Sequence, residues 1–89
     1  MKGRKPLHPG EFIRLWYLER YGMSSRYLAE ALGVERSTLP RVLAGEAAVS
    51  PDLALRLAKA LGHSPEQWLW LQCASDLWEA AMRIDERIF

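Results

Sequence analysis

The chain has only one cysteine, no long apolar run and almost no net charge. Cys73 has no second cysteine with which to form an internal disulfide. No apolar run approaches the roughly 20 residues that a membrane-spanning helix needs. The opening MKGRKPLHPGE has no apolar signal region behind its basic residues. These absences predict a cytoplasmic protein that does not enter a membrane.

Residues suited to catalysis or metal binding are also scarce. The two histidines, His8 and His63, fall in separate segments expected to be loops, and Cys73 falls on an apolar helix. No Cys/His cluster has the spacing of a metal site, and neither a Gly-rich phosphate loop nor a nucleophile motif is present. The sequence therefore predicts no catalytic residue, no metal and no cofactor, and a protein that is not an enzyme.

The composition favours one globular domain over residues 1–89. A hydrophobic share of 49% argues against disorder. The net charge of +1 is weak support for a nucleic-acid partner, but its distribution is uneven: residues 1–45 hold eight Lys/Arg against four Glu, and residues 46–89 hold four Lys/Arg against seven acids. A basic half and an acidic half are expected if one end faces phosphate, although so few charges also split unevenly by chance.

The stretch of residues 24–45 predicts two short helices joined by a tight turn. The first runs from about residue 24 to 32, and Gly33 after it can take the left-handed conformation that ends a helix. The second runs from about Glu35 to Leu43. The inward positions of both helices recur at helical spacing, and they are Leu28, Ala29, Leu32, Leu39, Val42 and Leu43. This is the layout of a helix-turn-helix, whose second helix enters the DNA major groove.

The outward face of the second helix is polar. Arginine is a common partner of guanine in the major groove, so this face predicts base reading. The residues concerned are Arg36, Ser37, Thr38 and Arg41. Ser25 and Arg26, in the first turn of the preceding helix, suit a phosphate oxygen. A solvated helix face and ordinary helix capping would also explain these residues.

Three further helices are predicted around this pair. The first begins at Pro9 and ends near Gly22, with Phe12, Ile13, Trp16 and Tyr17 mainly in the core, and the basic residues 1–7 before it form a flexible arm that could touch DNA or a partner. Ser50-Pro51-Asp52 starts a fourth helix that runs to about Leu61, with Ala54, Leu57, Ala58 and Leu61 buried. Ser64 and Gln67 form a capping box that starts a fifth helix over residues 64–83.

The fifth helix is apolar on two sides. One stripe is Trp68, Leu71, Trp78 and Met82, and the other is Trp70, Ala74, Leu77 and Ala81. One stripe suffices to cover a five-helix core, so the second needs another surface, most simply a partner subunit. We therefore expect a dimer interface at Trp70, Ala74, Leu77, Trp78 and Ala81. The alternative is that both stripes of this helix are buried in the hydrophobic core of the same chain.

Several motifs together resemble a known family. They are HPGE at residues 8–11, the turn ALGV, the helix SPDLALRLAKALG and the segment SPEQWLWLQ. Over residues 8–80 the chain is similar to the HigA-type antitoxins, a branch of the Xre (lambda-repressor-like) helix-turn-helix proteins. The resemblance implies an all-α, five-helix DNA-binding domain and a bacterial homodimer. Such a protein neutralises a RelE-like, mRNA-cleaving HigB toxin and represses its own operon by binding a palindromic operator on the nucleoid.

Three positions depart from the family pattern. Glu35 stands where a serine-like cap is usual, and Glu46-Ala47-Ala48 replaces a basic loop. Pro40 lies inside the second helix, where an interior proline costs about 3 kcal/mol. A later start, with Ser37 as N-cap and Pro40 at the third position, would relieve that cost. These departures favour one alternative, an antitoxin with little DNA affinity that acts only by holding its toxin. A solitary Xre-type regulator fits the same residues as the main interpretation and is a further alternative.

Overall fold

The computed structural model describes residues 4–88, apart from the side chains of residues 86–88. Within this part the chain forms five α-helices and no strand. Their bounds are α1 Pro9–Ile13, continued directly by a π-helical segment Arg14–Glu19, then α2 Ser25–Leu32, α3 Thr38–Leu43, α4 Pro51–Leu61 and α5 Pro65–Ile88. The predicted all-α helix-turn-helix class is confirmed. Of the predicted arm, residues 1–3 lie outside the described part, and residues 4–7 precede α1 without regular structure.

Local capping starts the helices where the sequence indicates. Ser50 Oγ accepts the Leu53 N–H at 3.1 Å, ahead of Pro51 at the first helical position. Ser64 and Gln67 cap each other: Ser64 Oγ accepts the Gln67 N–H at 3.1 Å, and Gln67 Oε1 accepts the Ser64 N–H at 2.8 Å. Each bond satisfies an N–H that has no partner inside its helix. These two starts confirm the predictions.

The N-terminus of α1 is capped by His8, whose capping role was not predicted from the sequence. His8 Nδ1 accepts the Gly10 N–H at 2.9 Å, and the Glu11 carboxylate accepts the His8 N–H at 3.4 Å. Pro9 at the first helical position has no N–H to satisfy. His8 therefore takes the place usually held by serine or aspartate.

The π-helical segment corrects the expectation of one regular helix from Pro9 to Gly22. Residues five apart lie one above another in a π-helix, and Arg14 pairs with Glu19 at this spacing. The wider turn shifts the inward face, because positions three apart no longer share it; Tyr17, four residues after Ile13, is still half-buried. Ile13 is fully buried, but Trp16, expected in the core, is 47% exposed.

One hydrophobic core joins all five helices. It consists of Ile13, Leu28, Ala29, Leu32, Leu39, Val42, Val49, Leu53, Ala54, Leu57 and Trp68. In α4 the buried seam differs from the predicted one, because Leu53 lies in the core while Ala58 and Leu61 are only half-buried. Leu43, predicted to be buried, is also half-buried. Trp68 is the largest buried side chain, and its indole N–H donates to the Gly62 carbonyl at 2.9 Å.

A buried glutamine ties α5 to the loop before α4. Gln72 Oε1 accepts the Val49 N–H at 2.9 Å, and Gln72 Nε2 donates to Asp76 Oδ1 at 2.9 Å. A buried N–H without such a partner would cost stability. Gln72 therefore holds the segment that leaves the helix-turn-helix against the last helix.

Helix α5 is 24 residues long and continues beyond its expected end near Arg83. The first of its two predicted stripes packs inward through Trp68, and Leu71, Trp78 and Met82 are half-buried. In the described part of the chain, neither α5 nor any other helix is long and apolar enough to cross a membrane.

Candidate nucleic-acid interface

The turn between α2 and α3 is built as predicted. Ser24 Oγ accepts the Tyr27 N–H at 3.0 Å and so caps the start of α2. Gly33 ends the helix in the left-handed conformation, at φ 72°, and the next N–H, that of Val34, returns to the Ala29 carbonyl at 3.1 Å. A side chain at Gly33 would be strained at this φ. The sharp reversal places α3 across α2.

A second contact, not found from the sequence, also holds this turn. Arg56 Nη1 donates to the carbonyls of Leu32 and Gly33, at 2.9 and 3.2 Å, and Arg56 Nε donates to Asp52 Oδ2 at 2.9 Å. Carbonyls at a helix C-terminus have no partner inside the helix and favour a cation. The four-residue spacing of Asp52 and Arg56 is visible in the sequence. The approach of the Arg56 side chain to the end of α2, however, depends on how α4 packs.

Helix α3 begins at Thr38, which corrects the predicted start near Glu35. It matches the alternative prediction, in which Ser37 is the N-cap. Residues 35–37 form a turn in which the Thr38 N–H donates to the Glu35 carbonyl at 3.1 Å. Ser37 is the N-cap residue but its side chain makes no capping bond. Pro40 then stands at the third helical position, where no intrahelical N–H bond is needed. The expected cost of Pro40 is thereby avoided.

The short α3 has one buried and one exposed side. Leu39 and Val42 are 0% and 1% exposed, so they anchor the helix in the core. The four predicted base-reading residues are all exposed, and they are Arg36, Ser37, Thr38 and Arg41. Thr38 and Arg41, three residues apart on a helix, share one face. Within the part that the structure describes, neither Arg36 nor Arg41 makes an ion pair or a side-chain hydrogen bond.

The two predicted phosphate contacts lie at the start of α2. Ser25 is half-buried, and Arg26 is exposed. Arg26 Nε lies 3.7 Å from Glu30 Oε1, and both side chains are about two-thirds exposed. Exposed pairs of this kind contribute little stability, so Arg26 can exchange Glu30 for a phosphate at small cost. Contact of Ser25 and Arg26 with phosphate stays a prediction.

His8, which follows the basic N-terminal residues, lies near the far end of α3. The His8 ring is 3.9 Å from the position that a Cβ on Gly45 would occupy, just after α3. Arg4 and Lys5 precede His8 and are exposed. Exposed acids, Glu35 and Glu46, stand on either side of α3. The positive charge on α3 itself therefore comes from Arg41, and Arg36 adds to it from the turn before the helix.

The outer side of α5 carries the second predicted apolar stripe. Trp70, Leu77 and Ile84 are 70%, 58% and 52% exposed, with half-buried Ala74 and Ala81 between them. These five residues, called the α5 face below, are spaced alternately by four and three residues, which is the seam of a helix pair. Trp78, also predicted for the interface, is half-buried on the inward stripe. Contact of the α5 face and of Trp78 with a partner subunit stays a prediction.

No candidate metal site is apparent in the part that the structure describes. Groups of three or more His, Cys, Asp or Glu side chains able to hold a metal do not occur among those residues. Cys73 is exposed on α5.

Comparison with known proteins agrees with this geometry. A family model described as helix-turn-helix matches residues 15–69. Antitoxin HigA-1 of Vibrio cholerae serotype O1 is 42% identical over 83 residues, or 93% of this chain and 78% of that protein. The structure of antitoxin GraA superposes with a TM-score of 0.89 at 42% identity, over 97% of this chain and 92% of that one. Pseudomonas aeruginosa antitoxin HigA, solved with the higBA promoter, superposes with a TM-score of 0.85 at 31% identity, over 93% and 90% of the two chains.

A capped α2, a left-handed glycine turn and a short amphipathic α3 define a helix-turn-helix protein of the DNA-binding, transcription-regulating class. Most of the chain, including α5, also matches antitoxins in both sequence and structure. The chain belongs to the HigA-type antitoxins of the Xre helix-turn-helix family.

Proposed function

We propose that this chain is the antitoxin of a HigBA-like toxin-antitoxin module in the bacterial cytoplasm. As a homodimer it neutralises a RelE-like, mRNA-cleaving toxin and represses its own operon by binding operator DNA. The observation that carries the DNA-binding part is a pair of exposed arginines, Arg36 in the turn before α3 and Arg41 on α3 itself. Neither has an ion-pair partner among the described residues, and the opposite side of α3 is buried in the core. The similar Pseudomonas aeruginosa antitoxin HigA was solved with the higBA promoter, which supports DNA binding by this chain.

Operator recognition divides between base and phosphate contacts. Arg36 and Arg41 offer planar guanidinium groups suited to the O6 and N7 atoms of guanine, and each good pair discriminates by about 1–3 kcal/mol. Ser37 and Thr38 offer hydroxyls that accept or donate to base edges. Ser25 and Arg26 would fix the register of the domain on the backbone, since phosphate contacts carry no sequence information.

Dimerisation through the α5 face would give the protein the symmetry of a palindromic operator. Trp70, Leu77 and Ile84 are each more than half exposed, which is unusual for large apolar side chains in one line. Burying them against a second copy removes that apolar area from water. Two copies of α3 would then lie about 34 Å apart, one turn of DNA.

The toxin-binding part of the proposal is supported by the family to which the chain belongs. The similar Vibrio cholerae protein is named antitoxin HigA-1, and the chain spans 78% of its length. A direct test is to co-express the chain with the RelE-like toxin encoded beside its reading frame. Restored growth and a stable purified complex are expected, and continued growth arrest would contradict neutralisation.

A salt titration tests the DNA-binding part. The full chain is titrated onto DNA from just upstream of its reading frame, with random DNA of equal length as control. Specific binding is expected, with log K falling against log salt by about 0.9 for each phosphate neutralised. Equal, weak binding to both DNAs would contradict operator recognition. It would instead favour an antitoxin that acts only by holding its toxin, the reading that exposed Glu35 and Glu46 beside α3 support.

A further inference from the structure

A hollow lined by aromatic side chains opens on the side formed by α1, the π-helical segment and the α4–α5 loop. Its volume is about 340 Å³, and it is called the aromatic groove below. It is lined by Phe12, Trp16, Tyr17, Tyr21 and His63. A second hollow of about 340 Å³ shares Phe12 and His63 and extends to Trp70. None of the residues predicted to contact DNA lines either hollow.

The floor of the aromatic groove is held by ring contacts with the core. The Phe12 ring lies 5.6 Å from that of buried Trp68 and 5.9 Å from that of His63, both edge to face. Tyr17 OH lies 3.4 Å from the Leu61 carbonyl, to which it donates. Burial, with the nearby Tyr21 phenol, raises the pKa of Tyr17. A groove with a fixed floor loses little freedom when it binds.

Two uncommon backbone conformations border the aromatic groove. Residues 14–19 are π-helical, and His63 has a φ of 64° although it is not glycine. Both conformations cost stability, and both recur at functional sites. Two large rings of this side are exposed: Trp16, within the π-helical segment, is 47% exposed, and Tyr21, two residues after the segment, is 68% exposed.

The rim of the groove carries an unpaired positive charge. The Arg20 guanidinium lies 5.2 Å from the centre of the Trp16 ring and 5.9 Å from that of Tyr21. Arg14 of the same segment is paired with Glu19, whereas Arg20 has no acidic partner among the side chains that the structure describes. Cation and rings together suit an apolar side chain that has a carboxylate beside it.

We propose that the aromatic groove holds the toxin, by receiving an apolar side chain of the toxin while an adjacent toxin carboxylate pairs with Arg20. This rests on the toxin neutralisation proposed above. Duplex DNA presents a charged backbone that would leave the apolar hollow unfilled. A second copy on the α5 face would reach the second hollow through Trp70, but no residue of the α5 face lines the aromatic groove. The toxin is the remaining partner whose surface can supply both an apolar side chain and a carboxylate.

The experiment measures toxin affinity by calorimetry, using the full chain and the purified toxin encoded beside its reading frame. Tyr21→Ala removes a groove ring, and Tyr27→Ala is its matched control, since Tyr27 is 62% exposed but lies on α2 outside the groove. Arg20→Glu reverses the rim charge, with Lys59→Glu on α4 as control. Each groove variant should weaken toxin binding about tenfold or more, as at interface hot spots. The controls should bind as the unchanged chain does.

Operator affinity and oligomeric state are measured on the same variants. Both should stay unchanged, which shows that Tyr21→Ala and Arg20→Glu remain folded. Full toxin affinity in both groove variants would overturn the groove proposal and leave toxin neutralisation standing. An unchanged chain that fails to bind the toxin would overturn the proposed function itself. Dissociation of the dimer, or loss of operator affinity with toxin affinity kept, would assign the groove to a second copy or to DNA and overturn the proposal.

Discussion

The backbones of Gly10 and Val42 are in direct contact. A Cβ added to Gly10 would lie 1.9 Å from the Val42 carbonyl oxygen and 2.8 Å from the Leu43 Cα. The first turn of α1 therefore presses on the last turn of α3, the helix proposed to read DNA. This contact explains why the residue after Pro9 must be glycine: there is no room for a side chain.

Gly10→Ala should move α1 away from α3. We expect the free energy of unfolding in urea to fall by about 1–3 kcal/mol, because crowding in a packed site forces backbone shifts. Operator binding should weaken as well. The matched control is Gly22→Ala, whose Cβ would meet nothing within 4 Å, so that it carries only the cost of a left-handed alanine. A Gly10→Ala protein as stable as the unchanged chain would show that the two helices separate freely.

Arg41→Ala should weaken operator binding by about 1–3 kcal/mol if Arg41 reads a base. The thermal midpoint should not change, because Arg41 is exposed and makes no ion pair in the described part. Affinity is measured at fixed salt against the upstream DNA, with Lys59→Ala on α4 as the charge-matched control. Loss of affinity equal for operator and random DNA would make Arg41 a phosphate contact instead.

Gln72→Leu should lower the free energy of unfolding by about 1–3 kcal/mol, because it leaves the buried Val49 N–H without an acceptor. Asp76→Ala is the comparison, since it removes only the exposed partner of Gln72 Nε2. Chemical denaturation of the two variants separates these contributions. Equal small losses would mean that water satisfies the Val49 N–H.

Leu77→Glu should dissociate the dimer and lower operator affinity, because it places a charge in the middle of the α5 face. The fold should survive, since Leu77 is 58% exposed. Leu55→Glu on α4 is the matched control, with Leu55 61% exposed. Sedimentation equilibrium reports the mass. A Leu77→Glu protein that stays dimeric would place the subunit contact elsewhere.

Features set by neighbouring residues were predictable from the sequence. The N-caps at Ser50 and Ser64 were predicted, and so was the left-handed Gly33, because each depends on bonds spanning only a few residues. The exposure of Thr38 and Arg41 on α3 was also predicted correctly, since the buried positions of this helix recur at helical spacing, whereas Arg36 and Ser37 are exposed in the turn before it. The binding roles of these residues are predictions still.

Features that depend on packing between distant segments were missed or misplaced. Trp16 was expected in the core, but the π-helical segment turns it outward, and regular spacing carries no sign of that shift. The later start of α3 was foreseen only as an alternative, prompted by Pro40. The aromatic groove has no sequence signature, because His63 reaches Phe12 only when α4 and α5 close on α1.

The sequence by itself determined which segments are helical, where most of them begin and which family they form, because capping and periodicity act within a few residues. The tertiary structure alone decided how the helices are held. Gln72 bonds to Val49 and Arg56 bonds to Leu32, 23 and 24 residues away along the chain. Gly10 is pressed against Val42. Such contacts arise only when the core closes, since burial of apolar side chains brings distant segments together and then selects the polar partners that fit.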